Sequence, residues 1–134
     1  MKPLALMLLL TALCGCATHG PTAQPAAQPE AVASFQPGAD WKAPSPKPAT
    51  AGIAFQGGDG SSIEKAIVIA GAHNESDGVA SEYAWLSRHY AGYGMKKQAL
   101  LQANGKSYDR LDFTTAHGEA KTVYFDISGF FGKF

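Results

Sequence analysis

The chain has 134 residues with 11 Lys+Arg against 11 Asp+Glu and 46% hydrophobic residues. That length fits one ordinary domain, and zero net charge argues against nucleic acid as a main partner, since phosphate binding needs a basic surface. At 16% the charged fraction falls below the roughly 25% usual for soluble domains. The average conceals three zones: an apolar head, a Pro/Ala-rich stretch and a proline-free remainder rich in aromatics.

The head carries one basic residue, Lys2, then the apolar run Leu4 to Leu10, then Thr11-Ala12-Leu13. A membrane-crossing helix needs about 20 apolar residues, so this shorter run reads as a secretory signal. It ends in Leu13-Cys14-Gly15-Cys16. These four residues resemble a bacterial lipobox, with an apolar residue three before the cysteine and a small one just before it. The resemblance implies cleavage before Cys16, a diacylglyceryl thioether on its sulfur and acylation of the new amino terminus by a fatty acid such as palmitate. Cys14 does not fit the lipidated position, since Leu13 would then occupy the small-residue site. Ala17 after the cysteine implies the outer membrane of a Gram-negative envelope, with the domain facing the periplasm. Each buried CH₂ contributes about 0.8 kcal/mol, so two or three acyl chains anchor durably. Cys14 leaves with the signal and Cys16 is modified, so no thiol remains for a disulfide, a metal or catalysis.

From Ala17 to Thr50, seven of 34 residues are Pro and nine are Ala. Proline fixes φ and removes a donor, so residues 16–50 read as a disordered, extended tether. Fully extended, such a spacer reaches about 3.1 Å per residue, on the order of 100 Å. Phe35 and Trp41 are its only aromatics, either anchors or incidental.

Residues 51–134 hold the other 12 of 14 aromatics and no proline, enough to bury one core. Gly52 to Gln56 is a strand candidate, and Gly57-Gly58-Asp59-Gly60 a turn. Ser61-x-x-Glu64 has the form of a capping box opening a helical turn. Ile67-Val68-Ile69 is β-branched and reads as a strand buried on both faces. Asn74 or Ser76 then caps the main helix, with Glu75 and Asp77 at its positive end. Val79, Tyr83, Leu86 and Tyr90 form its apolar stripe, Trp85 lies at the stripe's edge, and Gly92 supplies a left-handed stop.

Asn104-Gly105 is the strongest hairpin signal, a two-residue type I′ turn. It sets Leu100 opposite Asp109, Gln98 opposite Leu111, Lys97 opposite Asp112 and Lys96 opposite Phe113. Leu100, Leu111 and Phe113 then share one face, with Lys97 and Asp112 paired on the other. A third strand, Thr122 to Ile127, puts Val123, Phe125 and Ile127 on the core side after a turn or bulge at His117-Gly118-Glu119. Gly129-Phe130-Phe131-Gly132 is a short turn after Ser128. The expected fold is α+β: one main helix on a small antiparallel sheet with a C-terminal three-stranded meander.

Chemistry-bearing motifs are scarce. Gly57-Gly58-Asp59-Gly60-Ser61-Ser62 lacks the lysine of a P-loop and the spacing of GxGxxG, and it lacks the acids of a calcium loop. His19, His73, His89 and His117 show no metal-binding pair, and no GxSxG elbow marks a nucleophile. Asp109, Asp112 and Asp126 read as solvated strand residues. No catalytic, metal or cofactor residue is therefore named. The string Gly58-Asp59-Gly60-Ser61-Ser62, Ala66 to Ile69, Glu82-Tyr83-Ala84-Trp85-Leu86, Tyr124 to Ser128 and Phe130-Phe131-Gly132-Lys133 resembles an uncharacterised family of small bacterial proteins. That resemblance supports the domain boundary and implies no activity.

Tyr108, Tyr124, Phe130, Phe131 and Phe134 exceed what a small core absorbs, so Phe130 and Phe131 either close the sheet or form a contact surface. The expected function is a membrane-anchored, non-enzymatic module that binds an envelope component. The alternative is a small hydrolase or ligand-binding protein whose polar groups, His89 and acids among them, converge only in the fold. The expected partner surface is the edge Thr122 to Ser128 with Tyr124, Phe130 and Phe131, unless the Ile67 to Ile69 strand covers that edge.

Overall fold

The computed structural model describes residues 29–39 and 52–134. Cys14, Cys16, His19 and Trp41 lie outside the described residues, and so do the signal and the lipobox. In chain order the elements are β1 (Ala31–Phe35), β2 (Ala54–Gly57), β3 (Ile67–Ala70), α1 (Glu75–His89), β4 (Gly94–Ala103), β5 (Lys106–Thr114) and β6 (Ala120–Asp126). The strands form one sheet in the order β1-β4-β5-β6-β3-β2. The fold is α+β, but the sheet is neither small nor wholly antiparallel, because β3 runs parallel to β6 through Ile67↔Phe125 and Val68↔Asp126.

The centre of the sheet is set by local chemistry. Asn104 and Gly105 take φ of 52° and 73°, the pair of positive values a type I′ turn requires. From that turn the β4–β5 register runs Leu101↔Tyr108, Leu100↔Asp109, Gln98↔Leu111 and Lys97↔Asp112. A bulge then intervenes, so Met95 rather than Lys96 faces Phe113, and Lys96 is the extra residue. Leu111 pairs with Val123 and Asp109 with Phe125 across β5–β6. These pairings bring Leu111, Phe113, Val123, Phe125, Ile67 and Ile69 to one face, where α1 covers them.

Helix α1 begins at Asn74, whose side chain accepts from the Asp77 N–H at 2.9 Å. That bond satisfies one of the donors a helix start leaves open. Tyr83 and Leu86 point into the core, Trp85 meets the Phe125 ring edge-on at 5.7 Å, and Tyr90 and Tyr93 flank Phe113.

Four further expectations change. Ala31–Phe35, read as tether, is the edge strand β1, antiparallel to β4. The Ser61-x-x-Glu64 box opens no helix: Asp59 Oδ1 instead accepts from the Ser61 N–H and hydroxyl. The loop is held by Gly60 (φ 77°), whose carbonyl accepts from the Tyr124 N–H and where a Cβ would strike Val123. Ile67 and Ile69 are buried, whereas Val68 is 37% exposed on the other face, so β3 is buried on one side only. The fourth change is β6, which is not an edge, since β5 and β3 flank it.

Candidate functional site

The residues after β6 form a tight turn, with the Phe130 and Phe131 N–H groups both donating to the Ile127 carbonyl. The turn docks on the start of α1. The Glu75 N–H donates to the Lys133 carbonyl at 3.0 Å, and the Glu75 carboxylate accepts from the Gly132 N–H at 2.7 Å. Phe130 is 1% exposed and lies over Gly78, where any Cβ would overlap its ring. Of the three residues expected on a partner surface, Phe130 is therefore core. Phe131 is 38% exposed beside it, and Tyr124 is half-buried on the opposite face, near Ala66, Leu101 and Tyr108. The structure does not bring the three together. Tyr108 is buried in that same cluster, and Phe134 is exposed.

Beneath the turn lies a cavity of about 160 Å³ lined by Glu75, Val79, Leu100, Asp109, Ile127, Phe130 and Phe131. Asp109 is the polar residue on its inner side, and it belongs to a buried network. Tyr83 donates its hydroxyl to Gln98 Oε1 at 2.7 Å, and Gln98 Nε2 donates to Asp109 Oδ2 at 2.7 Å. Glu82 approaches Asp109 from the helix with 0% exposure. Ionised, it finds no donor for either oxygen. Burial, reinforced by the facing Asp109 carboxyl, holds Glu82 well above the ordinary carboxylate range. As a neutral acid it donates to Asp109. Asp109 is itself raised, first by burial, although the Gln98 and Glu82 hydrogen bonds work the other way. Burial also raises Tyr83. Two carboxyl groups sharing one dry site cannot both ionise cheaply, so the pair holds a proton.

Asp109, expected as a solvated strand residue, is thus buried, and Glu82, to which the sequence reading gives no role, faces it. Both have a signal in the chain. Glu82 stands three residues after Val79 and four before Leu86, inside the helix stripe. The hairpin register places Asp109 opposite Leu100, on the core face. The other two aspartates lie on the far face. Asp112 accepts from Arg110 Nε at 2.9 Å and from the Thr122 hydroxyl rather than from Lys97. At Asp126 burial pushes upward, but hydrogen bonds from Lys106 and Ser128 outweigh it and hold the carboxyl low.

The histidines do not converge on these acids. His89 is exposed, stacked on Trp85 at 4.0 Å with Nδ1 against the Trp85 carbonyl; His73 is exposed in the segment before α1 and His117 in a turn. No three His, Cys, Asp or Glu among the described residues are placed to hold a metal. No helix among them is long and apolar enough to cross a membrane.

The sheet face away from α1 carries two open depressions separated by Ile63 and Glu64. One, about 480 Å³, includes Ala31, Lys97, Leu101, Arg110 and Tyr124; the other, about 510 Å³, includes Val68, Lys106, Tyr108 and Asp126. Beyond the β4 pairing, β1 forms the end of the sheet. All five of its residues are exposed, with Val32 at 59% and Phe35 at 53%. Comparison with known proteins yields no match to the chain, whether among family models, curated proteins or solved structures.

Proposed function

We propose that the chain is a bacterial envelope lipoprotein, cleaved before Cys16 and held in the outer membrane by its acyl chains. It presents the α+β module to the periplasm as a non-enzymatic binder of another envelope protein. The anchoring half rests on Leu13-Cys14-Gly15-Cys16 and the apolar run ahead of it. The binding half rests on one observation: β1 is uncharged, exposed along its whole length and, among the described residues, unpaired on its outer side. Such a strand offers a row of backbone donors and acceptors to an added strand. With β6 covered, the edges among the described residues are β1 and the shorter β2, and strand addition belongs at β1, where Val32 and Phe35 are exposed apolar contacts. The partner is an extended segment of a protein, entering as a seventh strand.

Two substitutions test the halves separately. Cys16→Ser should release the protein from the membrane fraction and remove its acyl mass; wild-type protein that is already free of acyl groups overturns the anchor. Val32→Lys with Phe35→Lys places charges on the edge, which blocks strand addition. Crosslinked capture from membranes should be lost in that variant while the melting temperature holds. Capture that survives both lysines refutes binding at β1.

A further inference from the structure

We propose that the open depression of about 480 Å³ on the sheet face away from α1 binds a carboxylate carried on a small apolar body. The inference goes beyond strand addition at β1: the donors come from β4, β5 and β6, and neither Val32 nor Phe35 lines the space. Its volume falls within the roughly 300–1,000 Å³ of small-ligand sites, which combine apolar walls with a few converging polar groups. Ala99 and Leu101, both buried, form the floor, and Ile63, in the loop before β3, packs against them.

The polar groups are placed by register. Arg110 stands between Ala99 on β4 and Tyr124 on β6. Lys97 stands opposite Asp112 and so lies diagonal to Arg110, a separation of about 7–8 Å that long side chains bridge. Three donors therefore share one patch, and each has capacity left. Asp112 Oδ1 accepts from Arg110 Nε at 2.9 Å and from the Thr122 hydroxyl at 2.7 Å. Lys97, its register neighbour, makes no ion pair or hydrogen bond among the described residues. The two terminal nitrogens of the Arg110 guanidinium and the Tyr124 hydroxyl likewise have no partner among them. Unpaired donors beside a buried apolar floor are complementary to an oxyanion: the guanidinium fork and the hydroxyl match its oxygens, and the ammonium matches its charge. The charge count selects a carboxylate over a phosphate. Asp112 offsets Arg110, so Lys97 is the cation of the patch without an acid in contact. The other acid of the lining, Glu64, is exposed, where water and salt screen it. One surplus charge suits a monoanion, whereas a phosphate monoester carries close to two. The carboxylate can come from a free acid or from an Asp or Glu side chain of a bound protein.

The test uses the lipidated chain in detergent micelles at neutral pH, read by the methyl NMR signals of Ile63, Ala99 and Leu101. The probes are butanoate, its neutral counterpart butanamide, butyl phosphate and Nα-acetyl-glutamate methylamide. Butanoate should give saturable shifts of these methyls, and butanamide should bind about tenfold or more weakly, the scale of one lost charge-assisted hydrogen bond. Lys97→Met, which keeps the apolar stem and removes the charge, should weaken butanoate by a similar factor and leave butanamide unchanged; Lys97→Arg should restore butanoate binding. Tyr124→Phe, which removes the hydroxyl alone, should also weaken butanoate, and it decides the matter if Lys97→Met fails to fold. Tighter binding of the glutamate derivative than of butanoate supports a protein side chain as the source of the carboxylate; the reverse supports a free acid. No saturable shift, equal binding of butanamide and butanoate, tighter binding of butyl phosphate than of butanoate, or butanoate affinity unchanged in both Lys97→Met and Tyr124→Phe would overturn the proposal.

Discussion

Replacing Glu82 by Gln keeps the shape of the side chain and removes its proton equilibrium. In the unfolded chain Glu82 titrates near its ordinary value of 4.5, and in the fold well above it. Between those two values the native state holds one proton that the unfolded state has lost. Stability changes with pH by 2.303RT times the protons bound unfolded minus those bound folded. The sign is negative, so stability falls as pH rises through this window, by about 1.4 kcal/mol per pH unit for one proton. Asp126 is lowered, so the stability it provides is lost only as pH falls below the ordinary aspartate value of 3.8, outside the range in question. Urea unfolding of the unlipidated mature chain at half-unit steps from pH 5 to pH 7 measures the slope. The wild type should lose stability across the series. Glu82→Gln, whose amide donates to Asp109 at every pH, should show a markedly flatter line and exceed the wild type at the upper end. A wild-type stability that is level or rising over that range, or an unchanged slope in Glu82→Gln, would refute the account of a proton held between the two acids.

Two further outcomes concern the packing. Gly78→Ala should gain about 1 kcal/mol of helix propensity yet destabilise overall. Its Cβ would overlap the buried Phe130 ring, and overpacking of this kind costs about 1–3 kcal/mol; a raised melting temperature contradicts the contact. Leu111→Ala should lower stability by about 2–5 kcal/mol, because Leu111 is fully buried at the centre of the sheet between Gln98 and Val123; a melting temperature within error of wild type denies that burial.

Legibility in the residues tracks the range of the forces involved. The β4–β5 register near the turn is legible because Asn104-Gly105 dictates it locally, and it fails only past Lys97, where the bulge enters. The α1 stripe is legible for the same reason, and its cap is narrowed to Asn74 or Ser76, of which the fold uses Asn74. β1 is not. Its pairing rests on backbone hydrogen bonds with every side chain exposed, so Ala31–Phe35 carries no burial pattern, and Pro29 and Pro37 disguise it as linker. The parallel β3–β6 pairing joins residues more than fifty positions apart, and no local signal announces it. That pairing converts the expected binding edge into sheet interior. The acid pair has both its signals in the sequence, helix spacing for Glu82 and register for Asp109. Neither signal outweighs the ordinary expectation that a carboxylate is solvated.

β1 is the first element among the described residues and sits at the end of the sheet, so under the proposed N-terminal anchor tension would enter the fold there. It grips β4 by a short ladder alone, whereas β3, β5 and β6 are locked by buried side chains on the α1 face. Pulled from Ala31, the ladder should part before the core does. The five residues of β1 then add about 3.3 Å each to the lead, and α1 keeps its cover over the sheet. Under the proposed anchor the strand would act as a mechanical fuse, giving up length under load while the globule stays whole.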